Sequence, residues 1–120
     1  MRTIPALVCT ALLLAPLPLI AHHSRATFDT TAELTMKGTV TDWLWFNPHC
    51  ILRFDVTAED GTTTNWATET SNPTDVSQRG WSRGLFRPGD EITVTLQPSR
   101  NGAAVGHTVA VVTADGRKFE

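Results

Sequence analysis

From position 35 onward the chain alternates apolar and polar residues with a period of two, and no helical period persists beyond about two turns. The alternation predicts five strands. Thr35 to Phe46 forms the first, with Gly38 as a bulge or bend. Asn47-Pro48-His49 turns the chain, and Cys50 to Ala58 follows around Ile51, Leu52, Phe54 and Val56. The tight turn Glu59-Asp60-Gly61 leads into Thr62 to Glu69, which carries Trp66. The pattern then breaks. Ser71-Asn72-Pro73 offers a cap and a first-turn proline, Asp75 suits the helix dipole, and Gly80 ends a helix of about two turns. Pro88-Gly89-Asp90 turns into a fourth strand, Glu91 to Gln97; Arg100-Asn101-Gly102 is a hairpin turn into a fifth, Val105 to Val112. Asp115-Gly116 is a last turn.

Three strands, a short helix and two more strands is the order of an OB-fold. The expected class is therefore all-β with one short helix, an OB-fold-like five-stranded, partly open barrel over residues 35–120. A long first strand suits that fold, because it must bend to serve both sides of the barrel. An open meander sandwich is the alternative, and it would leave edges that a small domain can ill expose.

The opening of the chain reads differently. Arg2 supplies a positive start, Ile4 to Ile20 is apolar apart from Thr10 and three prolines, and Ala21 is a small residue at a plausible cut. Residues 1–21 are expected to be a cleaved signal peptide and residues 22–34 an N-terminal arm, giving an exported, periplasmic or secreted protein. Pro5, Pro16 and Pro18, followed at once by His22-His23-Ser24-Arg25, argue against a retained membrane anchor. Cys9 leaves with the leader, so Cys50 stands alone and no internal disulfide is expected; it reads as a small buried apolar residue.

Charge excludes one partner class. Ten basic residues face twelve acidic ones, a net charge of −2, and loss of Arg2 makes the product more acidic still. A nucleic-acid binder needs a basic surplus, so no nucleic-acid partner is expected.

Ala21-His22-His23-Ser24, Phe28-Asp29, Gly38-Thr39-Val40, Trp45-Phe46-Asn47-Pro48-His49, Trp66-Ala67-Thr68-Glu69, Gly80-Trp81 and Pro88-Gly89-Asp90 fall in a recognisable order. Together they resemble a family of small exported bacterial proteins, domain of unknown function 6152. The resemblance spans essentially the whole mature chain and rests most on the His-His-Ser start and the Asn-Pro-His turn. It implies a bacterial envelope protein and carries over no activity, ligand or catalytic residue.

The chemistry must come from the residues, and the histidines lead. A cut after Ala21 makes His22 the amino terminus. Its amine, with a typical pKa of ~7.7–8, can yield its proton to a metal near neutral pH. Amine and Nδ1 of one terminal histidine chelate a single ion, and His49 or His107 would add a third nitrogen. Tetragonal nitrogen ligation of this kind suits Cu(II). The ligand set resembles the histidine brace of copper carriers and copper oxygenases. A cut one residue earlier leaves Ala21-His22-His23, whose third-position histidine also chelates Cu(II) or Ni(II). The metal-site candidates are thus His22, His49, His23 and His107, with copper as the expected cofactor and carriage or storage as the role. The plainer alternative makes His22 and His23 a polar, mobile terminus, His49 a partner of turn carbonyls and His107 an exposed strand residue.

A metal-free alternative uses aromatic side chains. Trp43 and Trp45 sit two apart and share a strand face, and with Trp66 and Glu69 they could form a platform for a saccharide, peptide or protein. If both faces of the first strand are buried, one lies inside the barrel and the other under the arm around Phe28. Glu69 ends its strand at a barrel rim; its structural alternatives are capping the helix near Asn72-Pro73 or pairing with Arg79 or Arg83. No nucleophile elbow, H-E-x-x-H, P-loop or paired carboxylates appear, so catalysis is not expected.

Overall fold

The alternating residues sort by burial as period-two pairing requires. The computed structural model describes residues 27–120, and it contains β1 (Leu34–Leu44), β2 (Ile51–Thr57), β3 (Thr63–Glu69), α1 (Pro73–Gln78), β4 (Glu91–Pro98), β5 (Val105–Thr113) and β6 (Lys118–Phe119). The leader, His22 and His23 lie outside the described residues. Inward-pointing Leu52 and Phe54 on β2, Val94 and Leu96 on β4 and Val111 on β5 are fully buried. Each such side chain contributes roughly 1.5–3 kcal/mol on leaving water.

β1 has eleven residues because it serves two neighbours. Its first half pairs with β4, from Leu34 opposite Leu96 to Thr39 opposite Glu91; its second half pairs with β2, from Thr39 opposite Asp55 to Leu44 opposite Ile51. The register slips between Val40 and Asp42, so the bulge lies at Thr41 and not at Gly38. Gly38 has another job. A Cβ there would stand 2.7 Å from both the Asp55 carbonyl oxygen and Phe54 Cδ2, so only glycine lets β1 cross β2 that closely. The strand also ends earlier than expected, at Leu44, and Trp45 and Phe46 belong to the turn.

The strands run in the order β3-β2-β1-β4-β5, and β3 pairs with β5 to complete a closed five-stranded barrel with OB-fold connectivity. A partly open barrel was expected; a parallel seam of three residue pairs closes it: Ala67 with Val105, Thr68 with Gly106, Glu69 with His107. Buried Thr68 fastens the seam through Oγ1, at 2.8 Å from Thr108 Oγ1 and donating to the Gly106 carbonyl at 3.3 Å. At Gly106 a Cβ would meet Leu96 Cδ1 at 2.6 Å and the Gln97 carbonyl at 2.8 Å, so the seam needs glycine there. β6, which the alternation does not reveal, adds two residues further along the edge of β5 that β3 uses, opposite Val111 and Val112.

Between β3 and β4, α1 follows the expected signals. Asn72 Oδ1 accepts the Asp75 N–H at 3.0 Å, Pro73 opens the first turn, and Gly80 leaves the helix at φ +89°. Its one buried residue, Val76, enters the core beside Trp81 and Phe86. Cys50 is fully buried and free, and burial pushes its thiol pKa up, as befits a small apolar core residue.

Candidate functional site

His49 follows the Asn47-Pro48 turn and precedes the buried Cys50, so alternation directs the two to opposite faces. The imidazole is half-buried, with Nδ1 3.0 Å from the Thr70 carbonyl oxygen. A carbonyl only accepts, so Nδ1 carries the proton and the Nε2 lone pair stays available to a cation. An imidazole oriented through its other nitrogen is the usual arrangement of a metal-ligating histidine.

His107 arrives from the far side of the sequence. The β3–β5 seam carries it to Glu69, and β4 flanks it with Gln97. His49 and His107 then line one pocket of about 410 Å³, together with Thr70, Ser71, Arg79 and Trp81. Arg79 is already engaged, donating to Asp75 Oδ2 and to the Glu120 backbone carbonyl, each at 2.8 Å.

The arm docks against the same neighbourhood. Phe28 is buried and its ring centre lies 6.1 Å from that of His107. Around it the Arg100 N–H donates to the Thr27 carbonyl at 3.0 Å, the Asp29 N–H to Pro98 at 2.8 Å, and Arg100 Nε to the Phe28 carbonyl at 3.1 Å. Sequence reasoning placed Phe28 over β1; it covers β5 instead, because the β4–β5 hairpin offers the unpaired backbone groups. Arg100 as its clasp had no sequence signal beyond sitting in a turn.

Glu69 takes neither structural role foreseen for it. Asn72 caps α1 itself, and Asp75, one turn away, holds Arg79. Glu69 Oε1 is buried with no hydrogen-bond partner among the described residues. The aromatic candidates are half-buried and pack on the core. Trp43 Nε1 donates to the Ser82 carbonyl at 3.0 Å, and its ring touches Trp45, Trp81 and Phe86 at centroid distances of 5.8, 5.9 and 5.2 Å. Trp66 stands opposite Phe54 on β3. Phe46, 45% exposed, is the aromatic ring most open to water.

A family model described as a family of unknown function (DUF6152) matches residues 10–108, a span that includes all four histidines. The chain belongs to this family. No curated protein and no solved structure matches it.

In this DUF6152 protein, then, two histidines border one cavity, and the imidazole of His49 is oriented through Nδ1. Among the described residues no three His, Cys, Asp or Glu side chains converge tightly enough to hold an ion by themselves.

Proposed function

We propose that this DUF6152 protein is an exported, periplasmic carrier or store of a transition metal, Cu(II) above others, held through its processed amino terminus. His22 gives amine and imidazole, His49 a third nitrogen, and His23 and His107 stand close behind as donors. The single observation that carries the reading is the bond from His49 Nδ1 to the Thr70 carbonyl, which leaves Nε2 for a cation in a pocket shared with His107. The docked arm adds support. Four residues lie between His22 and Thr27, and five extended steps span at most ~18 Å, a length that would allow the terminus to come to His107.

The aromatic-platform reading stays second, because the Trp43 N–H is spent on Ser82 and the faces of Trp43 meet other rings.

The test is a Cu(II) titration of the protein beginning at His22, of a variant with one extra residue ahead of His22, and of His49→Ala. The terminal pincer predicts a large loss of affinity in the extended variant and a smaller loss in His49→Ala. Equal affinity in the wild-type and extended proteins removes the pincer. Loss in His49→Ala alone moves the site inside the fold.

A further inference from the structure

The edge of β5 that faces away from β4 has two partners and a gap between them. β3 takes Val105 to His107 and β6 takes Val111 and Val112; Thr108 to Ala110 has no strand opposite it on that edge among the described residues. The gap arises because β3 ends at Glu69 and the chain then turns towards the start of β2. The Thr70 N–H donates to the Cys50 carbonyl, and the Cys50 N–H to the Ser71 carbonyl. The pocket bordered by His49 lies at this gap: Thr108 lines it, Thr70 and Ser71 line it after β3, and Glu120 lines it after β6.

Few contacts hold the β6 end of that pocket. β6 makes two register pairs, and the Phe119 ring lies 5.7 Å from that of Trp81. The Glu120 main-chain oxygen accepts from Arg79 Nη1 at 2.8 Å and from Trp81 Nε1 at 3.3 Å, and both donors belong to residues that line the pocket. Arg79 is preset for this latch, since Asp75 Oδ2 holds its Nη2 at 2.8 Å. The ion pairs of this stretch, Arg117 with Asp115 and Lys118 with Glu120, are exposed and local, so they do not tie it to the barrel. A segment held by two pairs, one ring and one oxygen opens more readily than strands whose apolar side chains are fully buried. We propose that residues 118–120 are a strap that closes this pocket, and that its local opening, with the barrel still folded, lets small molecules and ions reach His49. The inference goes beyond the metal-binding reading and does not depend on it, because it concerns entry to the pocket whatever the pocket holds.

Labelling of His49 by diethyl pyrocarbonate, which acylates a free imidazole nitrogen, reads that entry without any metal. The rate is followed by peptide mass mapping in the wild-type protein and in Phe119→Ala, beside hydrogen exchange along both chains. In the wild type the amides paired between β5 and β6 are expected to be protected at least tenfold less than those of β4. Phe119→Ala is expected to label at His49 fivefold or more faster, with β4 protection within about twofold of wild type. Wild-type β6 amides protected as well as those of β4 overturn the strap, by showing that it opens only with the barrel. An unchanged His49 labelling rate in Phe119→Ala overturns it too, by showing that the strap does not control entry. Equal loss of protection in β4 and β6 of the variant makes Phe119 a part of the core and overturns it as well.

Discussion

The two sides of this barrel are finished to different degrees. On one side Trp43, Trp81, Phe86 and Phe119 pack ring on ring, tilted between Trp43 and Trp81 and edge to face elsewhere, and the indole N–H groups of Trp43 and Trp81 both reach backbone carbonyls, Ser82 at 3.0 Å and Glu120 at 3.3 Å. Such aromatic pairs add to area burial, and their polar tips are satisfied. Beside them, at the ends of β2, β3 and β5, an imidazole is oriented through Nδ1, and a carboxylate oxygen is buried without a hydrogen-bond partner among the described residues. A fold selected only for stability would have filled these valences. Local disagreement with the rules of packing is where function is expected to sit. The aromatic side packs against the core, and the histidine side is where the proposed metal would bind.

Removing the keystone of the aromatic side tests that division hardest. Trp81 is 3% exposed and contacts Trp43, Phe86 and Phe119. Trp81→Ala is expected to cost ~3–5 kcal/mol, read by chemical denaturation. Because Trp81 also lines the histidine pocket, the loss of fold should carry metal binding with it. A variant that stays folded within ~1 kcal/mol of wild type would show that this side is not the keystone.

The β3–β5 seam that carries His107 comes next. Gly106→Ala puts a methyl group against Leu96 and against the rigid Gln97 carbonyl, with an expected cost of ~1–3 kcal/mol. Since Gly106 adjoins His107, the same variant should weaken copper binding in proportion to the displacement of β5, and hydrogen exchange at Val105 to His107 would report it.

His49→Ala inverts the pattern. The bond to Thr70 is one half-buried hydrogen bond, so stability should fall by only about 1 kcal/mol. Copper affinity should fall tenfold or more, about 1.4 kcal/mol. A variant that loses stability but no affinity would place His49 with the aromatic side as a purely structural residue.

The two sides also differ in how far the sequence announces them. Strand order, the helix and its Asn72 cap are legible because each rests on local signals: alternation, turn residues, a proline at the right place. Two local readings miss. Trp45 and Phe46 have strand composition, yet the Asn47-Pro48 turn claims them, and β6 is too short for any periodicity to show. The histidines are legible as residue types, but their meeting is not. His49 and His107 share a pocket only because β3 and β5 pair in parallel, and no local pattern encodes a register between strands so far apart. The unpartnered oxygen of Glu69 is harder still to foresee, since Arg79, one of its candidate partners, is held by Asp75 through a helical i,i+4 contact.

The smallest effect concerns how the arm reaches the histidine side. Asp29 Oδ1 accepts the Thr31 N–H at 3.0 Å and the Thr31 hydroxyl at 2.7 Å, and these bonds hold its carboxyl below the usual carboxylate range. They favour the ionised form, so the contribution to the docked arm is fully present above the ordinary carboxylate pKa. It is lost as pH falls through the lowered folded value. The carboxyl is bonded within the arm, to Thr31, so the fold as a whole should not respond; the arm alone should. Limited proteolysis near Thr27 is expected to stay slow at neutral pH and to accelerate only in strong acid, and Asp29→Asn should show weaker pH dependence. Uniform acceleration across the barrel would mean that the arm is an integral part of the core and not a separately docked segment, which would tie the histidine side to the stability of the whole domain.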